Sequence, residues 1–348
     1  MKKRVYVNHQ NNDCSILRKQ AKQRALLIWK RVLLFSSFII FQISCTKTIS
    51  PVNTVETKTI TSSLMQQPIA AKCGYNLDEA ALATSGWSNI FEENFGLLEI
   101  MKLPGAPATT LDQNKWTYWN SGALNEELQY YQLANLSFYN SDMLITAKKE
   151  HIDDRDTLPW DSTPRDFEYT SGRIESIQKF RGSDHLKTRL YARIKLPTAY
   201  GLWPAFWTLG VDVNSKVWPQ TGEFDIMESK VNVMGKIPTK YQTNFIYGSN
   251  PYVPDNNAAV EIGNVDLTNC YHVFMVEWQQ NELKFYYDDI LKVTYTGGNI
   301  PKIWNKEHRI VLNLAYGGEF LGSGFSPNLI PAGTGTMYVD YVKVFVKN

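Results

Sequence analysis

From about residue 86 to the C-terminus, apolar and polar residues alternate with period two, in short runs broken by Gly, Pro, Asn and Asp. That period belongs to an extended strand, whose successive side chains point to opposite faces. Leu190, Ala192, Ile194 and Leu196 alternate with Tyr191, Arg193 and Lys195, which predicts a half-buried strand. In HVFMVEW, residues 272–278, both faces are largely apolar, as in an inner sheet of a sandwich. Leu283, Phe285 and Tyr287 lead into the acidic turn Asp288-Asp289, and MYVDYVKVFVK (337–347) is one long β-branched and aromatic run. No stretch of 12 or more residues has a helical period; LDEAALA at 77–83 makes two turns at most. Many short strands without helices predict an all-β sandwich or barrel, a fold that reaches about 250 residues as one domain.

The 348 residues are 43% hydrophobic and 20% charged, which excludes a disordered, collagen-like or multi-span membrane chain. The formal net charge of +2 is unevenly spread. Residues 1–44 hold nine of the 36 Lys and Arg and one acid, Asp13. The remainder therefore has 36 − 9 = 27 bases against 34 − 1 = 33 acids, a net of −6. An acidic body argues against a nucleic-acid partner, because phosphate binding needs clustered cations. Ten Trp and 19 Tyr exceed what a core needs; rings with an apolar face and a polar edge suit a wet ligand such as a sugar.

The basic segment ends at Lys30-Arg31 and is followed by VLLFSSFIIFQIS, residues 32–44. This apolar run of 13 is shorter than the roughly 20 residues a spanning helix needs. Basic, apolar and small residues in that order predict a secretory signal over 1–45. The run ends Ser44-Cys45, as signals with a lipid-modified Cys do, although Gln42 stands where Leu is usual. Cys45 is thus a candidate lipid anchor on an exported surface or periplasmic protein, and membrane contact is expected through that anchor alone. Residues 46–85 form a Thr/Ser-rich tether and lead-in, and the predicted folded body is 86–348, a monomer. Of the four Cys, Cys73 and Cys270 remain for the exported body. An oxidising compartment permits their pairing, and two unrelated buried thiols are the competing reading.

GEFDIMES, residues 222–229, sets Glu223, Asp225 and Glu228 among Phe224, Ile226 and Met227. Burying an unpaired carboxylate is expensive, so acids rarely occur in so apolar a strand without a task. A regular strand puts Glu223 and Asp225 on one face and Glu228 on the other. A β-bulge between Asp225 and Glu228 returns Glu228 to their face. The two Glu α-carbons are then roughly 13 Å apart, and inward-leaning side chains bring the carboxyls to about 5–5.5 Å, the separation for retaining glycoside hydrolysis. Spacing alone also fits a solvated strand face or a calcium site.

WPQTGEFDIME resembles the E-x-D-x-x-E signature of glycoside hydrolase family 16, in its laminarinase-like branch. Further matches follow in family order: ELQYYQLANL (127–136), YTSGRI (169–174), ARIKLP (192–197), GLWPAFWTLG (201–210), LNLAYGG (312–318) and VDYVKVF (339–345). They cover about 91–348. The resemblance implies a concanavalin A-like jelly-roll sandwich of two curved antiparallel sheets, with a glycan cleft on the concave face. It makes Glu223 the nucleophile, Glu228 the acid/base and Asp225 an assisting carboxylate, with no cofactor required for catalysis. It also implies an endo-acting enzyme cutting β-1,3- or mixed β-1,3/1,4-glucan, a polysaccharide partner. Alternatives are the same mechanism on a galactan such as agarose, porphyran or carrageenan, and a glycan-binding lectin. A lectin has no reason to keep both glutamates, and a cell-wall transglycosylase uses the shorter E-x-D-x-E spacing.

By the same resemblance Trp203 and Trp207 stack on sugar, one of them expected to be core instead. Trp218 lies near the cleavage point, and Arg173 contacts the non-reducing side of the substrate. Two positions depart from the pattern. Glu126 replaces an Asn that often touches sugar, and Asn244, in QTNFIYG, stands near the place of a common His. Asp340 falls where the family often ligates a structural calcium on the convex face.

Overall fold

The computed structural model describes residues 72–95, 111–122, 124–158, 161–211, 217–250, 253–257, 259–331 and 333–348. The expected signal, Cys45 and the tether up to residue 71 lie outside the described residues. Among the described residues, no helix is long and apolar enough to cross a membrane.

Two large sheets carry the molecule, as the period-two pattern predicts. The larger has the spatial order Ile290–Thr296, Glu282–Tyr287, His272–Gln279, Lys187–Lys195, Thr334–Lys347, Asp142–Lys148, Tyr169–Ser171, Gln129–Tyr131 and Ser121–Gly122. The smaller runs Asn256–Asn257, Lys240–Tyr247, Glu223–Ser229, Leu202–Val211, Glu307–Tyr316, Arg173–Ser176 and Trp116–Tyr118. Their pairings are antiparallel except for Gln129–Tyr131 beside Tyr169–Ser171. The core lies where the two apolar faces meet, with Phe206, Phe224, Leu312, Phe274, Trp278 and Val342 all buried in one cluster. The one α-helix described, Glu79–Thr84, is six residues long and capped by Asp78, whose carboxylate accepts from the Ala81 amide at 2.9 Å.

The half-buried reading of 187–195 needs correction. Tyr191 and Arg193 are as buried as Leu190 and Ala192. A second apolar cluster covers the outer face of this sheet: Leu77, Leu82 and Trp87 pack on Tyr191, Val273, Met275, Tyr341 and Phe345. Residues 72–85, expected as lead-in, are therefore part of the packed body, which begins by Lys72 rather than at 86.

Two further links hold this segment. Cys73 and Cys270 are disulfide-bonded, closing a separation of 197 residues. Around them, the Lys72 ammonium meets Asp142 Oδ1 at 2.8 Å, the Ser141 carbonyl at 3.0 Å and the Asp340 carboxylate. Arg193 donates to Asp340 Oδ2 at 2.5 Å and to the Tyr75 carbonyl at 2.6 Å. Asp340, the expected calcium ligand, thus gives each oxygen to a protein cation. That donor set does not fit a calcium ion, because two side-chain cations already neutralise the carboxylate. We expect the Cys73→Ser/Cys270→Ser protein to lose stability, with an upper value of about 5 kcal/mol from loop entropy. Denaturant midpoints measure this, and thiol labelling at Cys73 and Cys270 themselves in denatured, unreduced protein would disprove the bond.

Candidate active site

The Glu223–Ser229 strand lies between Leu202–Val211 and Lys240–Tyr247. Glu223 pairs with Ile246, Asp225 with Asn244 and Glu228 with Gln242, so Ile226 and Met227 are accommodated in one bulge. Both are fully buried in the core together with Phe224. A regular strand would drive the Glu228 carboxyl into that core and turn Met227 outward. The bulge instead keeps Ile226 in the core and adds Met227 to it, a burial contributing roughly 1.5–3 kcal/mol, and returns Glu228 to the face of Glu223 and Asp225. Core packing therefore assembles the carboxylates.

Each carboxyl has a distinct partner set. Trp218, just before the strand, donates its indole N–H to Glu223 Oε2 at 2.6 Å. Trp203 donates to Glu228 Oε1 at 2.9 Å, and Gln242 Nε2 reaches Glu228 Oε2 at 3.4 Å. Burial pushes the Glu228 carboxyl up to about 7, with the Glu223 charge as the second cause. The Asp225 carboxyl is raised well above the usual range by burial and by both glutamates. Asp225 hydrogen-bonds Glu223 and favours the charged form there, as does the Trp218 N–H, against the upward push of burial. Protonated Asp225 is the donor to Glu223. Burial raises both glutamates, but Glu223 has the Asp225 and Trp218 hydrogen bonds and the Arg173 charge favouring its ionised form, whereas the Glu223 charge adds to burial in favouring the protonated form of Glu228.

Trp203 and Trp207 share this face, since Leu202–Val211 pairs in regular register with Glu307–Tyr316 through Pro204. Neither belongs to the core, which corrects the expectation for one of them. Trp203 lies 4.8 Å from the Phe320 ring, and Trp207 donates to Asn313 Oδ1 at 2.7 Å. The Gly317-Gly318 pair of the LNLAYGG motif has its reason here. Both have positive φ, and a Cβ on Gly318 would come within 2.9 Å of the Trp203 ring.

Arg173 is buried, with its guanidinium 3.7 Å from the Trp119 ring centroid, 4.9 Å from that of Trp207 and 2.7 Å from Glu175. It lies three strands from Glu223, sandwiched between rings, and favours the charged form of Glu223. Asn244 stands directly opposite Asp225 and donates to its carboxyl. Glu126 is exposed in a left-handed turn, with φ of 59°.

The neighbouring Glu127 was missed by sequence reasoning. It is buried, accepts from Gln129 at 2.6 Å and Tyr131 at 3.0 Å, and has its carboxyl raised by burial. Tyr131 in turn accepts from Asn313 Nδ2 at 3.1 Å, linking Glu127 to Trp207. The period-two spacing of Glu127, Gln129 and Tyr131 was the available signal.

An antiparallel sandwich presenting two half-buried glutamates, a buried aspartate and indole donors on one face defines a jelly-roll protein with a carboxylate-centred site. The model of glycosyl hydrolases family 16 matches residues 117–315, more than half the sequence, and the chain belongs to that family. The chain is 32% identical over 267 residues to glucan endo-1,3-beta-glucosidase A1 of Niallia circulans, covering 68% of this chain and 36% of that one. It is 28% identical over 254 residues to a beta-glucanase of Rhodothermus marinus, covering 67% and 80%. The chain thus spans about a third of the length of the first of these relatives. Among solved structures, an endo-beta-1,3-glucanase from Pyrococcus furiosus superposes with TM-score 0.59 at 28% identity, over 75% of this chain and 94% of that one.

Proposed function

We propose that this protein is a retaining endo-acting glycoside hydrolase that cleaves β-1,3- or mixed β-1,3/1,4-glucan by double displacement. The bulge-assembled Glu223, Asp225 and Glu228 carry this reading, and the activities named for the relatives give the substrate class. Glu223 attacks the anomeric carbon as Glu228 gives its proton to the leaving oxygen. Asp225, protonated, holds Glu223 in its charged, attacking form. Once the glycosyl-enzyme forms, Glu223 carries no charge, so Glu228 stays ionised after giving up its proton. It takes a proton from water as the water oxygen attacks the anomeric carbon and the bond to Glu223 breaks, which returns both carboxyls to their starting states. The indoles of Trp203, Trp207 and Trp218 offer apolar faces to the sugar rings.

Proton NMR of the first product from laminarin tests the mechanism. The β-anomer is expected before mutarotation, and an initial α-anomer would mean inversion. Release of no reducing ends from laminarin, lichenan or a galactan panel would sink the hydrolase reading, whereas cleavage confined to a galactan would move only the substrate.

The export reading extends this: Cys45 anchors the protein at an outward-facing membrane surface, where a polysaccharide is met. Cys45→Ala is expected to shift it from the membrane to the soluble fraction of its host. A wild-type protein already soluble there would overturn the anchor.

A further inference from the structure

A groove of about 520 Å³ opens from Glu228 along the end of its strand, walled by the 230–239 segment, Lys240–Gln242 and Phe320. It lies beyond Glu228 as seen from Glu223, and Arg173 is three strands away on the other side of the site. Glu228 gives its proton to the leaving group, so the space continuing from Glu228 is where the leaving sugar goes.

Three lysines line this groove. Lys240 is neutralised by Glu261 at 2.9 Å. Among the described residues, neither Lys230 nor Lys236 has a carboxylate partner. Lys230 is half-buried, with its ammonium 4.7 Å from the Phe320 ring centroid and 3.4 Å from the Phe320 carbonyl. Phe320 packs on Trp203, which donates to Glu228, so Lys230 is held two side chains from the proton donor. In a body of net −6, two uncompensated ammoniums on one groove wall focus a local positive potential. A neutral glucan makes no use of that charge.

We propose that this groove receives the leaving-group side of the glycan and favours a sugar there that carries an anionic substituent, a carboxylate or a sulfate, paired with Lys230 and Lys236. The inference rests on the hydrolase reading above and names the substrate class of its leaving-group side. Laminarioligosaccharides of one length, modified only at the reducing end, isolate that side: the neutral alditol, the aldonate and the alditol 6-sulfate. At low salt we expect kcat/KM for an anionic form to exceed that for the alditol by about tenfold, the scale of two partly screened ion pairs. The aldonate and sulfate arms distinguish the two anions. About 0.5 M NaCl should erode the ratio, since exposed charges beyond about 3–10 Å are screened at such strengths. Lys230→Met with Lys236→Met should bring the ratio near one, while Lys284→Met with Lys292→Met, a change of equal charge on the far sheet, should keep it. A wild-type ratio of one or less, or a ratio unchanged in the double variant, overturns the proposal. Should all three compounds resist cleavage, the hydrolase reading fails instead, and calorimetric titration with the same three decides the groove by the same ratio.

Discussion

Glu223→Ala is expected to lower turnover of laminarin by about 10⁴-fold or more, the scale of losing an attacking group rather than a contact. Its circular dichroism should match wild type, because the strand is held by Phe224, Ile226 and Met227, which the substitution leaves buried. Trp218 and Asp225 lose their shared acceptor at Glu223, so some loss of melting temperature is expected as well. The decisive readout is rescue. With an aryl β-glycoside, azide entering the vacated space attacks the anomeric carbon, the C–O bond to the aryl group breaks, and an α-glycosyl azide forms. A β-glycosyl azide, or no rescue beside a fully active Glu228→Ala protein, would assign the nucleophile elsewhere.

Glu228→Ala should cost about 10²–10⁴-fold on natural glucan, the contribution of a positioned acid/base, and much less on substrates whose leaving group needs no proton. Azide then intercepts the glycosyl-enzyme and gives the β-glycosyl azide. The pH profile carries the same assignment. Burial, with the Glu223 charge second, pushes Glu228 up to about 7, so the proton it must donate is present below that pH and lost as pH rises through it. The alkaline limb of kcat/KM in the wild type should therefore fall near pH 7, and it should vanish in Glu228→Ala with an activated substrate. An alkaline limb that survives the substitution would show that another group holds the proton. The acid limb belongs to Glu223, which must be ionised; its carboxyl is also raised by burial, though Asp225, Trp218 and Arg173 work against that.

Local pattern decided a great deal about this chain. Period two without helical period gave an all-β body, because side-chain alternation is a property of the strand itself. A bulge was one arrangement of three acids among three apolar residues that buries the apolar set and spares the acids; spacing left others open, and the family resemblance favoured this one. Family motifs then placed Trp203, Trp207 and Trp218 around the carboxylates.

What depends on distant pairing was not legible. The outer face of 187–195 looked solvent-facing until residues 75–87 covered it, and no local period reports a cover about a hundred residues away. Asp340 read as a possible metal ligand, yet Lys72, 268 positions earlier, takes its carboxylate. Glu127 joins the site only because its strand folds beside Tyr316 and Asn313. Sequence alone determined the strands, which follow from residue type and spacing, and, with the family motif, pointed to the three carboxyls and the bulge between them. Only the tertiary structure decided which carboxyl holds a proton, because that depends on how deeply each is buried and which charges face it across strands far apart in the chain.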